Sequence, residues 1–80
     1  MRDQIRNFIA EITFTEVDAI ANNTALFEEG IFDSMGLLSL ITYLDEELGV
    51  KTDDDELNEE NFASVESIVT YIEKKKAMLN

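Results

Sequence analysis

Apolar residues recur at helical spacing along most of this chain. Ile5, Phe8, Ile9 and Ile12 stand at i, i+3, i+4 and i+7 and predict an amphipathic helix over about 2–13. Leu37, Leu40, Ile41, Leu44 and Leu48 fall on one narrow face at ~100° per residue and predict a second helix over about 34–48. Asp33 or Ser34 suits its N-cap, where a side-chain oxygen accepts an orphan backbone N–H. Gly49 suits a left-handed C-cap, with Val50 as the apolar residue beyond it. Val65, Ile68, Val69 and Ile72, flanked by Tyr71, predict a last helix over about 64–76 with Ser64 as N-cap. Lys74, Lys75 and Lys76 then lie at its C-terminus, where cations complement the helix dipole. Alternation with period two does not recur, so no strand is expected.

The segments between these stripes are not free coil. The connection over 14–33 is long, with a short helical turn expected around Val17 to Ile20 and a turn at Asn22-Asn23. Leu26, Phe27, Ile31 and Phe32 are too apolar to stay in solvent, and tucking into the core would fix the path of the loop. Lys51 to Asn58 reads as an acidic loop, and Glu59 to Phe62 as one short helical turn with Phe62 pointing inward. The expectation is an all-α bundle of three main helices and one short one, in a single domain over 1–80.

Composition narrows the function. No run of ~18 apolar residues is present to span a membrane. The N-terminal stretch has no apolar signal region, so a cytoplasmic protein is expected. Without cysteine there is no disulfide and no thiolate metal site. Without histidine the usual general base near neutral pH is missing, and a Ser-His-Asp triad cannot be built. These absences argue against an enzyme and against catalytic residues of its own. The net charge of −12 is uneven: from Glu28 to Glu66 thirteen acids are opposed by Lys51 alone. Such a field repels nucleic acid and anionic membrane and steers basic protein surfaces toward the chain, although acids also serve simply to keep a small domain soluble. Asp53-Asp54-Asp55-Glu56 lacks the alternate ligands, glycine and distant glutamate of an EF-hand, so no metal site is read there.

Two features remain for function. Met35, Leu38, Thr42 and Glu46, with Asp45 beside them, lie on the second helix opposite its core stripe. Apolar residues among acids suit a docking surface and are equally compatible with ordinary exposed apolar scatter. The other feature is Gly30-Ile31-Phe32-Asp33-Ser34-Met35-Gly36, which puts one serine at the start of that helix. Unpaired N–H groups and the dipole there favour an anion, such as a phosphodiester formed on the hydroxyl. The plain alternative is that Asp33-Ser34 only caps the helix.

The stretch Leu26-Phe27-Glu28-Glu29-Gly30-Ile31-Phe32-Asp33-Ser34-Met35 resembles the phosphopantetheine attachment region of the acyl carrier protein family. The resemblance continues through Leu40-Ile41, Leu44, Asp45-Glu46-Glu47, Leu48-Gly49-Val50, Glu60-Asn61-Phe62, Ser64-Val65, Ile68 and Tyr71-Ile72, so it covers about Leu26 to Glu73. It implies a small four-helix carrier with 4′-phosphopantetheine, supplied by coenzyme A, linked to Ser34. The arm's thiol would hold cargo as a thioester, which reconciles a cysteine-free chain with thiol chemistry. The implied partners are a phosphopantetheinyl transferase, an adenylating ligase or acyltransferase, and a downstream synthase or transferase with a basic docking patch. The resemblance also implies a monomer, with Asp33, Met35, Leu38, Thr42, Asp45 and Glu46 as positions that partners contact. Fatty-acid carriers usually have an acid where Gly36 stands. Asp33-Ser34-Met35-Gly36 looks more like D-alanyl carrier proteins, and Asn61-Phe62 more like carriers of amino-acid or specialised polyketide pathways. Phe62 would also reduce the room for a long acyl chain. An aminoacyl or short-acyl cargo is therefore expected. A fatty-acid carrier, or an acidic interaction module without a prosthetic group, stands as the alternative.

Overall fold

Three α-helices form around one apolar core in a computed structural model that describes residues 2–79. Met1 and Asn80, the end positions of the domain expected over 1–80, lie outside the described residues. The helices are α1 (Arg2–Thr13), α2 (Ser34–Leu48) and α3 (Val65–Leu79). Two short 3₁₀ turns, Val17–Ala19 and Asp54–Glu56, punctuate the connections, and among the described residues no strand forms. α1 packs against both other helices. The Cα radius of gyration, 11.7 Å, is the value of about 12 Å expected for a compact chain of this length.

The predicted stripes meet at the centre. Ile5, Ile9, Leu40, Leu44, Val65, Ile68 and Ile72 are all fully buried. Phe8, Ile12, Leu37, Ile41 and Leu48 pack against them from the margin. Phe62 is fully buried and tilts against Tyr71, ring centroids 5.2 Å apart. Burying a large apolar side chain contributes ~1.5–3 kcal/mol, so this set supplies most of the driving force for folding.

The long first connection is fixed by Leu26. Its side chain is fully buried, its N–H donates to the Ala63 carbonyl at 2.8 Å, and its carbonyl accepts from Ile31 and Phe32 N–H at 3.0 and 3.1 Å. Phe32 is buried as well, and Phe27 and Ile31 pack on the core, as their apolar character predicts. The Asn22-Asn23 turn is held by the Asn22 carbonyl, which accepts from Glu66 N–H at 2.9 Å, and by Arg6, which donates to the Asn22 side chain. These contacts bring the loop back to α3 and deliver residue 33 to the head of α2.

Two local expectations change. The short helical piece lies at Asp54–Glu56, whereas 59–62 is a single hydrogen-bonded turn, Phe62 N–H to Glu59 carbonyl at 3.2 Å. The cause is a capping box: Asp53 and Glu56 satisfy each other's backbone N–H groups. Glu56 is held further by Lys75 Nζ at 2.8 Å and by the Tyr71 hydroxyl at 3.2 Å. The expected four-helix arrangement is therefore three α-helices with 3₁₀ turns. The last helix also runs past Lys76 to Leu79, so Lys75 sits within it and staples α3 to the acidic loop. Ser64 does cap this helix, its Oγ accepting from Ser67 N–H at 3.2 Å.

Candidate functional site

The head of α2 is built by a division of labour between Asp33 and Ser34. Asp33 has extended backbone and is the N-cap, with Oδ1 accepting from Gly36 N–H at 2.9 Å. Ser34 is the first helical residue and is exposed. Among the described residues its hydroxyl has no hydrogen-bond partner. Capping is thus complete without Ser34, and the hydroxyl points to no structural job. An exposed, unengaged hydroxyl at a helix start fits a covalently attached phosphate: the nearby backbone N–H groups and the helix dipole favour an anion there. The Asp33 carboxylate opposes that field at close range and does its work as the cap.

Gly36 is explained by its neighbour. A Cβ on Gly36 would stand 3.0 Å from Cδ1 and Cε1 of the buried Phe32 ring. The glycine therefore lets the apolar loop residue reach under the first turn of α2.

The positions expected to contact partners come together on one exposed face. At ~100° per residue, Ser34, Asp45, Leu38, Thr42, Met35 and Glu46 fall within an arc of roughly 120°. Met35 is 73% exposed and Leu38 56%. Asp33, Thr42, Asp45 and Glu46 are also exposed. The Thr42 hydroxyl donates to the Leu38 carbonyl at 3.1 Å, which leaves its methyl as the outward surface. Asp45 lies 3.7 Å from Lys51, an exposed pair of little energetic weight that still dilutes its charge. Sequence reasoning missed one residue here. Phe14 is 98% exposed at the end of α1 and shares a groove with Met35 and Asp33. The available signal was a bulky aromatic, with no glycine, where the α1 stripe stops.

The groups with shifted ionisation lie away from Ser34. Glu56 is held below the ordinary carboxylate range, chiefly by its hydrogen bond from Lys75, and Lys75 is raised by the same bond. Glu66 is lowered and Arg2 raised by the hydrogen bond between them. Burial pushes the Tyr71 hydroxyl up. Among the described residues no cluster of acids is arranged to hold a metal ion. Asp53 and Glu56 are occupied instead by backbone N–H groups and Lys75.

The fold is a small helical bundle that presents the exposed Ser34 hydroxyl at the head of α2, beside an acidic, partly apolar face. The chain belongs to the family described as "Phosphopantetheine attachment site", whose model matches residues 3–72. It is 32% identical to the D-alanyl carrier protein of Listeria welshimeri over 75 residues, covering 94% of this chain and 96% of that one. It is 36% identical over 62 residues to the "Probable acyl carrier protein PigG" of a Serratia species, covering 78% and 71% respectively. The acyl carrier protein of Thermotoga maritima is 32% identical over 72 residues, covering 90% and 86%. A solved chain from a structure described as "Crystal structure of FAD-dependent dehydrogenase" superposes with a TM-score of 0.76 at 32% identity, covering 85% of this chain and 97% of that one. The protein is a non-catalytic carrier with covalently attached 4′-phosphopantetheine. The family match replaces the reading of an acidic module without a prosthetic group. When attached, the group supplies a thiol on an arm.

Proposed function

We propose that Ser34 is the anchor of the phosphopantetheine arm and that the cargo is an aminoacyl group, with D-alanine the leading candidate. The observation that carries the anchor is the exposed Ser34 hydroxyl, free of partners among the described residues while Asp33 does the capping. The cargo rests on the Listeria relatives and on the local pattern Asp33-Ser34-Met35-Gly36. Fully buried Phe62 supports a small cargo, since it fills core volume that a long acyl chain would need. In this reading a phosphopantetheinyl transferase installs the arm and an adenylating ligase loads it in the cytoplasm. A downstream transferase, or a synthase of a polyketide or peptide pathway, then docks on Met35, Leu38, Thr42, Asp45 and Glu46, with Asp33 beside them. The structural relative, whose structure is described as that of an FAD-dependent dehydrogenase, supports a flavin-dependent oxidoreductase as a further partner class in this reading.

The test is loading. The holo protein, incubated with ATP, D-alanine and a D-alanyl carrier ligase, should gain one alanyl group that hydroxylamine removes, and Ser34→Ala should gain none. Loading by an acyl–carrier ligase with a long fatty acid, but not by the amino-acid ligase, would overturn the cargo assignment. Arm attachment to the Ser34→Ala protein would overturn the anchor.

A further inference from the structure

Phe14 is a poor residue for folding at its position. It terminates α1 with φ +55°, and Thr15 N–H donates to the Ala10 carbonyl at 3.0 Å across it. This is the helix-ending motif that favours glycine or asparagine, and an L-residue with a bulky side chain is strained there. The ring gains no burial in return, being 98% exposed. It forms one wall of a groove of about 400 Å³ between the end of α1 and the start of α2, with Ile12, Ile31, Ser39, Asp33 and Met35 on the other sides. Asp33 is the charged residue in its lining, and the stretch of sequence that contributes it, Asn7 to Val50, has nine acids and no lysine or arginine.

We infer that Phe14 and this groove form a docking contact for the phosphopantetheinyl transferase, gripping an apolar side chain rimmed by lysine or arginine. The inference rests on Ser34 as the anchor. The transferase must bring its active site to the Ser34 hydroxyl itself, so its footprint is centred on the head of α2, and the groove begins at the residues on either side of Ser34. A large aromatic that projects into solvent at the edge of a partly apolar groove has the character of an interface anchor. A basic rim on the enzyme would be steered by the acidic field.

The experiment measures modification by a broad-specificity phosphopantetheinyl transferase with coenzyme A, for the wild type, Phe14→Asn, Phe14→Gly and Leu57→Asn, together with thermal unfolding of each apo protein. Asparagine and glycine accept the left-handed backbone, so neither should lower the melting temperature. Both should lower kcat/KM by about tenfold, which corresponds to ~1.4 kcal/mol, with the change in KM rather than kcat. Leu57→Asn, a partly exposed apolar residue outside the groove, should behave as wild type. Variants of Phe14 modified within about twofold of the wild-type rate, or slowed only in step with lost stability, would overturn the inference. Arm attachment to Ser34→Ala, assayed beside these variants, would instead refute the Ser34 anchor, so the two failures are distinguishable.

Discussion

Gly36→Ala tests whether the head of α2 is shaped by the loop beneath it. In an exposed helix, alanine for glycine stabilises by ~1 kcal/mol. Here the new Cβ would meet two ring carbons of Phe32 at 3.0 Å, inside the ~3.5–4.0 Å optimum for carbon–carbon contact. The ring has little freedom to give. It is 3% exposed, packs against Phe27 with centroids 5.4 Å apart, and is tethered through Phe32 N–H to the Leu26 carbonyl. Overpacking of this kind costs ~1–3 kcal/mol. The clash therefore outweighs the propensity gain, and a net loss of about 1 kcal/mol is expected. For a chain this short that is a drop of roughly 4–8 °C in Tm, readable by circular dichroism or calorimetry. In a Phe32→Leu background the ring carbons are gone, and the same substitution should stabilise, giving a coupling energy of about 2 kcal/mol in a double-mutant cycle. A rise in Tm for Gly36→Ala in the wild-type background, or a cycle with no coupling, would refute the steric explanation. The outcome also bears on why this chain lacks the acid that fatty-acid carriers place here, since any side chain at position 36 must displace Phe32.

Two further outcomes are expected. Glu56→Gln should lower stability at neutral pH, and its difference from wild type should vanish under acid. The folded Glu56 carboxyl is held below its ordinary range by Lys75, so its contribution is present above the unfolded value, ~4.3. It is lost as pH falls through the lower folded value, and urea titrations across pH 7 to 3 check this; a difference that persists in acid would contradict it. Met35→Asp and Leu38→Asp should cut transfer to partner enzymes by about tenfold while moving stability by no more than ~0.5 kcal/mol, as for exposed positions without structural partners. Parallel loss of helicity and transfer would count against a docking face.

The parts of the fold carried by local chemistry were readable in advance. The bounds of α2 follow from a strong cap residue before its stripe and Gly49, in the left-handed conformation, after it. The burial of Leu26, Phe32 and Phe62 follows from apolar residues that no loop could leave in water. The short helix lies away from its expected place because its stability comes partly from Lys75 and Tyr71, nineteen and fifteen residues from Glu56. Even so, the Asp53–Glu56 spacing is a capping-box signal in plain view. The last helix runs beyond its expected end because no glycine or proline marks a stop there, and a lysine run resembles a terminus. At the site, Ser34 and its exposed neighbours could be placed from the sequence. The assignment of the cap to Asp33 rather than Ser34, and the outward Phe14 ring, depend on backbone geometry that residue types alone do not determine.

The most direct test of Ser34 as anchor is an intact mass. The apo protein is incubated with coenzyme A and a broad-specificity phosphopantetheinyl transferase, beside Ser34→Ala. The expected result is the mass of one phosphopantetheine added to the wild type and nothing added to a Ser34→Ala protein that melts normally, since Asp33 rather than Ser34 caps the helix. A folded wild type that stays unmodified by several transferases, or an alanine variant that is modified, would contradict it.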